Sequence, residues 1–406
     1  MSPKRLSLVA LSAFSCFLTA CGGGEGNAVP PSSVGSPPPA SGVTLSAQAA
    51  LGEKIFHDAS LSVSGQTSCA SCHVPAHAFA GDQSTQAVPV AGAGLTTAGF
   101  RNSPSLKYLT LNPAFFFDDE GTPTGGFDRD GRVSSLIDQA RRPFLAAHEM
   151  ANASADDVAL KLSHAAYAAE FRQVFGDAIF STPDVAFDRA LFALQKYQQE
   201  DTPEFAPYSS KYDAFLDGKI TLTAQEQRGL ALFNNPQKGN CAGCHPSARV
   251  NGQPPLFTDF TYDNLGVPRN PDIPANADAS YFDLGLCGPD RTDLAEPHPD
   301  LCGAFKVPTL RNVALTAPYF HNGKFNTLVE LVRFYVRRDT NPEEWYPLDA
   351  NGNPRKFDDL PAAYAGNVNT VEVPYNRKPG DLPALDENEI QDLVAFLQTL
   401  TDGFQP

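Results

Sequence analysis

Two copies of a Cys-x-x-Cys-His motif carry the clearest chemistry in this chain: Cys69-Ala70-Ser71-Cys72-His73 and Cys241-Ala242-Gly243-Cys244-His245. Two thiols one helical turn apart can add across the two vinyl groups of a haem, and the adjacent His then lies under the iron as proximal ligand. A zinc ribbon would bring its Cys pairs within about 15–20 residues of each other. Here they lie in different halves of a 406-residue chain. A redox dithiol has no need of a His after both pairs. The motifs therefore predict two covalently bound c-type haems, on Cys69, Cys72 and His73 and on Cys241, Cys244 and His245.

The elements that must position these motifs also come in pairs. Gly52-x-x-x-Phe56 precedes the first motif and Gly229-x-x-x-Phe233 the second. Pro104-Ser105-Leu106-Lys107 corresponds to Pro308-Thr309-Leu310-Arg311, and each is followed by an aromatic cluster, Phe115-Phe116-Phe117 or Tyr319-Phe320-His321. This is an internal duplication dividing near residue 218. The predicted fold is mainly α, with two cytochrome c-like haem domains, 45–218 and 219–406, joined by long irregular loops. The 35 Pro and 31 Gly account for the loops. Helix signals are local: Thr223-x-x-Glu226 and Asp386-x-x-Glu389 read as capping boxes ahead of apolar runs, and Leu328, Leu331, Val332 and Tyr335 share helical spacing. Cys287 and Cys302 flank a Pro- and Asp-rich insertion and are expected to pair as a disulfide. Residues 340–384 form a second loop-rich insertion in which the sequence shows no chemistry.

At the N-terminus, Lys4 and Arg5 precede a short apolar run, Leu6 to Leu18, too short to span a bilayer as a helix. Leu18-Thr19-Ala20-Cys21 is similar to a bacterial lipobox, which implies a signal peptide (1–20), lipidation of Cys21 and a Gly-, Pro- and Ser-rich tether (21–44). An ordinary secretory signal with an incidental Cys is the alternative. Gly22 after the Cys points to the outer membrane of a Gram-negative cell, with the folded part in the periplasm. The net charge of -16 excludes a basic nucleic-acid footprint. No other run is long and apolar enough for a transmembrane helix, so membrane contact is expected through the lipid anchor alone.

From about residue 46 to 402 the chain resembles the bacterial di-haem cytochrome c peroxidase family, including its MauG branch. The most specific stretch runs from Phe305-Lys306-Val307-Pro308-Thr309-Leu310-Arg311-Asn312 through Ala317-Pro318-Tyr319-Phe320-His321-Asn322-Gly323. The resemblance implies a peroxide-reacting haem in the N-terminal half, an electron-transfer haem in the C-terminal half and a Ca²⁺ ion between them. It matches Gln139, Pro143 and Glu149 to the distal pocket, with Glu149 moving a proton during O–O cleavage. His148, adjacent to Glu149, is expected to point elsewhere and to be structural. The resemblance also matches Asn102 to the Ca²⁺-binding Asn, and Thr316 and Pro318 to carbonyl donors, an oxygen set that suits Ca²⁺.

Three departures from the peroxidase pattern follow. Tyr335 stands where the peroxidases place a Met ligand, as in MauG. The blocking His of many resting peroxidases has no counterpart after His73. His77 reads as a local residue, which leaves the first haem open. The Trp placed between the haems falls on Phe117, and the only Trp of the chain is Trp345, in an insertion. An anionic Tyr ligand stabilises higher iron oxidation states.

The reading is thus a di-haem oxidoreductase that uses H2O2 to form a high-valent haem state and oxidises a residue, such as a Trp, on a periplasmic partner protein. Two alternatives stand beside it. One is a peroxidase reducing H2O2 to water with electrons from a small cytochrome or copper protein. The other is a non-enzymatic di-haem electron carrier.

Overall fold

A computed structural model describes residues 42–82 and 87–406. The expected signal peptide, the lipidation site Cys21 and all of the tether before residue 42 lie outside the described residues. The described chain is helix-dominated, with long irregular connections. Its helices are α1 (Ala47–His57), α2 (Cys69–Cys72), α3 (Leu136–Leu145), α4 (Ala155–His164), α5 (Ala168–Phe175), α6 (Pro183–Glu200), α7 (Thr202–Phe205), α8 (Lys211–Leu216), α9 (Ala224–Asn234), α10 (Leu328–Arg337) and α11 (Glu387–Gln398). Three antiparallel ribbons of two-residue strands complete it: β1 (Val90–Ala91) with β2 (Thr97–Ala98), β3 (Phe116–Phe117) with β4 (Pro123–Thr124), and β5 (Tyr262–Asp263) with β6 (Phe305–Lys306).

The helix starts follow local chemistry. Thr223 and Asp386 each form the full reciprocal capping box with Glu226 and Glu389. Ser135 caps α3 and Thr327 caps α10, each side chain accepting from the amide three residues on.

The paired Gly-x-x-x-Phe stretches pack alike. α1 crosses α6 so closely that a Cβ on Gly52 would lie 2.0 Å from the Ala193 carbonyl oxygen. α9 crosses α11 in the same way, with a Cβ on Gly229 falling 2.0 Å from the Asp392 carbonyl oxygen. Only glycine allows either approach. Phe56, four residues after Gly52, is buried against Phe79 and Tyr197. Phe233, four after Gly229, is buried against Phe257 and Phe396. The apolar residues form two large clusters, one running from Leu51 to Phe205 and the other from Tyr212 to Leu400. α8, placed ahead of the expected division near 218, belongs to the second: the Tyr212 amide donates to the Thr399 carbonyl at 3.0 Å.

Between the clusters lies buried charge. Arg311 makes a two-pronged contact with Asp213 (2.9 and 2.8 Å) and lies over the Tyr108 and Tyr208 rings. Arg101 bridges Asp283 and Asp130. Paired, hydrogen-bonded charges of this kind avoid the cost that a lone buried ion would carry. A third, small apolar cluster holds Leu286, Leu294 and Ala304, with Phe115 and Phe117 packed against it. Cys287 and Cys302 are joined there as a disulfide.

Candidate functional site

Two cavities open in the described residues, one at each Cys-x-x-Cys-His motif. The first, about 150 Å³, is lined by Cys69, Cys72 and His73 on one side and by Gln139, Pro143 and Glu149 on the other. The second, about 300 Å³, is lined by Cys241, Cys244, His245 and Tyr335, and also by Asn102, Thr316 and Pro318. The fold thus brings every residue singled out for the two haems and for Ca²⁺ onto the wall of one cavity or the other.

The motif residues are set alike. The Nδ1 of His73 meets the Phe79 and Pro104 carbonyls at 3.0 and 3.1 Å, and the Nδ1 of His245 meets the Phe257 carbonyl at 2.7 Å. A carbonyl at Nδ1 fixes the tautomer with the proton there and leaves Nε2 as a lone-pair donor. Burial lowers both imidazole pKa values, so both rings are neutral. Burial pushes the Cys69 thiol up to about 12 and Cys72 to about 11, and raises Cys241 and Cys244 to about 12. None of the four is in a disulfide. Neutral enclosed thiol pairs, a neutral His with a free nitrogen and a largely apolar cavity fit a covalently attached haem at each site.

Above the first cavity, α3 carries Gln139 and Pro143. Pro143 sits inside the helix, where it has no amide to give the Gln139 carbonyl. Glu149 lies in the turn beyond. Arg142 Nη1 approaches its Oε1 at 3.3 Å, and His148 Nε2 approaches the same oxygen at 3.4 Å. Adjacent side chains were expected to diverge. Here they converge because residues 146–151 form a tight turn, with Ala151 at φ 60°, rather than a helix or strand. Burial alone would raise the Glu149 pKa, but the His148 hydrogen bond and the Arg142 charge outweigh it, and the carboxyl is held below its usual range. Arg142 is itself anchored by Asp290, at 2.6 Å, from the disulfide-closed segment. His77 is turned to the Gly81 carbonyl (3.2 Å) and is not part of the first cavity's wall.

Above the second cavity, α10 carries Tyr335, eight residues after the Thr327 cap. Tyr335 stacks on Phe320 at 5.7 Å, and burial drives its phenol pKa well up. The 340–384 segment, where no chemistry was expected, closes this cavity with Glu372, Val373, Pro374 and Tyr375. Tyr375 lies 6.1 Å from Tyr335, ring to ring. Nothing in the sequence signalled this, because the segment has no periodicity.

The two cavities share a wall that includes Asn102, Pro104, Asp128, Arg129 and Gln139. Phe117, expected between the haems, lines neither cavity. It stacks on His298 at 4.9 Å, beside the disulfide. Arg129 occupies the shared wall instead, its Nε donating to the Asn102 carbonyl at 2.9 Å. Burial and the neighbouring Arg101 lower its pKa to about 10, so it remains a cation. Asn102 sits where that wall meets the expected Ca²⁺ donors: its side-chain amide contacts the Pro318 carbonyl, and its backbone amide donates to the His321 carbonyl at 2.7 Å. The amide oxygen of Asn102 and the carbonyls of Thr316 and Pro318 are hard oxygen donors of the kind Ca²⁺ takes.

The same architecture recurs in known proteins. Residues 46–221 match the family model for di-haem cytochrome c peroxidase. The chain is 37% identical over 366 residues to the methylamine utilization protein MauG of Paracoccus denitrificans, covering 88% of this chain and 89% of that one. It is 31% identical over 304 residues to the cytochrome c551 peroxidase of Nitrosomonas europaea, covering 73% and 76%. The crystal structure of the diheme peroxidase BthA of Burkholderia thailandensis superposes with a TM-score of 0.80 at 41% identity, covering 88% of this chain and 86% of that one. With two haem-type cavities already built from its own residues, this chain belongs to the di-haem cytochrome c peroxidase and MauG family of oxidoreductases.

Proposed function

We propose that H2O2 reacts in the first cavity, and that the two electrons it takes are drawn from a partner protein by way of the second. The observation that carries this reading is the difference between the two upper walls. Pro143 cannot ligate iron and leaves the His73 side open, beside an ionised Glu149. Tyr335 lines the second cavity with His245 and would offer its phenol oxygen to an iron held there. Bound haems supply redox-active iron that exchanges electrons one at a time. Glu149 Oε1 takes a proton from H2O2 and returns it to the departing oxygen, the double role open to a carboxylate in hydrogen-bond reach. Gln139 orients the substrate. Each half acts as one haem domain, and Ca²⁺ on Asn102, Thr316 and Pro318 ties them together.

The electron source divides two readings. A MauG-like oxidation of a side chain on the partner protein is supported by Tyr335, a hard anionic donor that would lower the potential of the second site, and by the 37% identity to MauG. Simple reduction of H2O2 by a small redox protein is supported by the likeness to a protein called a diheme peroxidase. The Tyr335 geometry favours the first. The disulfide and the haem-attachment motifs fit a periplasmic protein, and a lipid on Cys21 would hold it at the outer membrane. Among the described residues no helix is long and apolar enough to cross a membrane.

The test is to add H2O2 to the di-haem protein and supply either a reduced small cytochrome or proteins encoded beside it. Fast turnover of the cytochrome selects the peroxidase. Slow turnover with a mass change on one neighbour selects the MauG-like reaction. Failure of peroxide to alter either haem spectrum overturns both. For the metal, verified removal of Ca²⁺ should change the haem spectra reversibly, and unchanged spectra remove it from the account.

A further inference from the structure

The sole tryptophan stands at the end of an aromatic path that begins at Tyr335. Phe334, the neighbour of Tyr335 on α10, has its ring 6.4 Å from the Tyr335 ring and 5.7 Å from the Trp345 ring. A second path runs through the rings of Phe320 and Phe325: Phe320 stacks on Tyr335 at 5.7 Å, and Phe325 lies 5.8 Å from Trp345. Phe334 is fully buried, while Trp345 is partly exposed. Trp345 is thus one ring away from the second cavity and in reach of solvent.

From this geometry we infer that Trp345 is the relay through which electrons enter the second haem site from outside. The inference rests on the reading given under Proposed function and names the point of entry that reading leaves open. Phenylalanine is too hard to oxidise to hold a hole, so Phe334 and Phe325 serve as bridges and Trp345 as the stopping point. Tyr375, 6.1 Å from Tyr335, is the rival. Tyr375 is buried, whereas Trp345 is partly exposed and so open to a partner protein. An indole can lose the electron and keep its proton. That is the situation of Trp345, whose buried Nε1 has no acceptor among the described residues. Each step is a one-electron transfer: the indole loses one electron to the second site, becomes a cation radical, and is restored by one electron from the partner protein. Two such steps match one H2O2, whose conversion to two waters consumes two electrons and two protons, the protons coming from solvent.

Because the chain has a single Trp, ring-deuterated tryptophan labels this position alone. The di-haem protein, mixed with H2O2 without a donor and freeze-quenched, should give an organic radical whose EPR hyperfine pattern narrows with the label. The radical should disappear in Trp345→Phe, a change that keeps a ring in the packing. Peptide mapping should find oxygen added to Trp345 after repeated peroxide. In Trp345→Phe the peroxide-induced change in the haem spectra should persist, while its discharge by the donor is lost. If the spectra respond to peroxide but the radical is unaffected by the label and Trp345→Phe is discharged at the wild-type rate, the relay is overturned and the peroxide reading survives. If the wild-type spectra do not respond at all, the parent reading itself has failed.

Discussion

The two halves use one plan for the lower wall of a haem cavity and two plans for the upper wall. Below, the correspondence extends to hydrogen bonds. Ser105 Oγ bonds to the Ala78 carbonyl, and Thr309 Oγ1 bonds to the Leu256 carbonyl at 2.6 Å. The residue following each carbonyl, Phe79 or Phe257, has positive φ and turns its own carbonyl to the haem-motif His. Tyr108 and Asn312, both at positive φ, start matching single turns and reach the same carboxylate, Asp402. Above, the helices α3 and α10 start on matching caps, Ser135 and Thr327, and their eighth residues are Pro143 and Tyr335. A residue that cannot bind iron therefore occupies, in one half, the place of one that can in the other. On the function proposed above, one position on one helix would divide the pair into an open, reacting site and a closed, relaying one.

The sharpest way to break this contrast is Pro143→Tyr. Restoring an amide at 143 favours α3, and the phenol would then face the first cavity as Tyr335 faces the second. The first haem should become six-coordinate, seen as loss of the high-spin component, and reaction with H2O2 should cease. A variant that keeps the high-spin signal would show that the equivalence of positions 143 and 335 does not extend to ligation. The complementary Tyr335→Met should leave the first site as it is and raise the potential of one haem. An unchanged potential and low-spin spectrum would remove Tyr335 as a ligand.

Next in size is Glu149→Gln. It should leave both haems attached and slow the peroxide reaction by about 10²-fold or more, the scale of a general acid–base contribution. An unchanged single-turnover rate would take Glu149 out of the proton path.

Smaller still is the effect on stability of the shared lower plan. Gly52→Ala and Gly229→Ala each force a Cβ onto a carbonyl oxygen 2.0 Å away, so each should cost about 1–3 kcal/mol as overpacking does. Their reach should differ: Gly52→Ala should disturb the spectrum of the first haem, and Gly229→Ala that of the second. If either substitution perturbs both haems alike, the two clusters do not behave as separate halves.

These predictions also mark what the sequence made legible. The haem motifs, the paired Gly-x-x-x-Phe spacings and the caps were readable because each is a short, fixed spacing; that the glycines mark helix crossings was not. Phe117 was misplaced because matching by order ignores that β3 and β4 carry it outward to the disulfide-bearing cluster. Arg129 gave no signal as an isolated cation in Asp128-Arg129-Asp130, although it ends up lining both cavities. Tyr375 and Glu372 come to the second cavity on an aperiodic segment. Such approaches are decided by tertiary packing alone.

The finest effect lies in pH. Glu149 is held below its usual pKa by His148 and Arg142 against the raising effect of burial. Its ionised form, the one able to accept a proton, is therefore present above that lowered pKa and lost only as the pH falls through it. The acid limb of the peroxide reaction should accordingly lie below the ordinary Glu value of about 4.3. Arg142→Ala removes one lowering influence and leaves burial in place, so the limb should move to higher pH. The rate on the plateau should change little, since Arg142 stands behind the carboxylate. Asp290→Asn tests the same pairing from the disulfide-closed side: it frees Arg142 to approach Glu149 more closely, and the limb should stay where it is or move to lower pH. An acid limb that does not move in Arg142→Ala would mean that the carboxylate is set by His148 alone. The first site would then owe its base to one turn, residues 146–151.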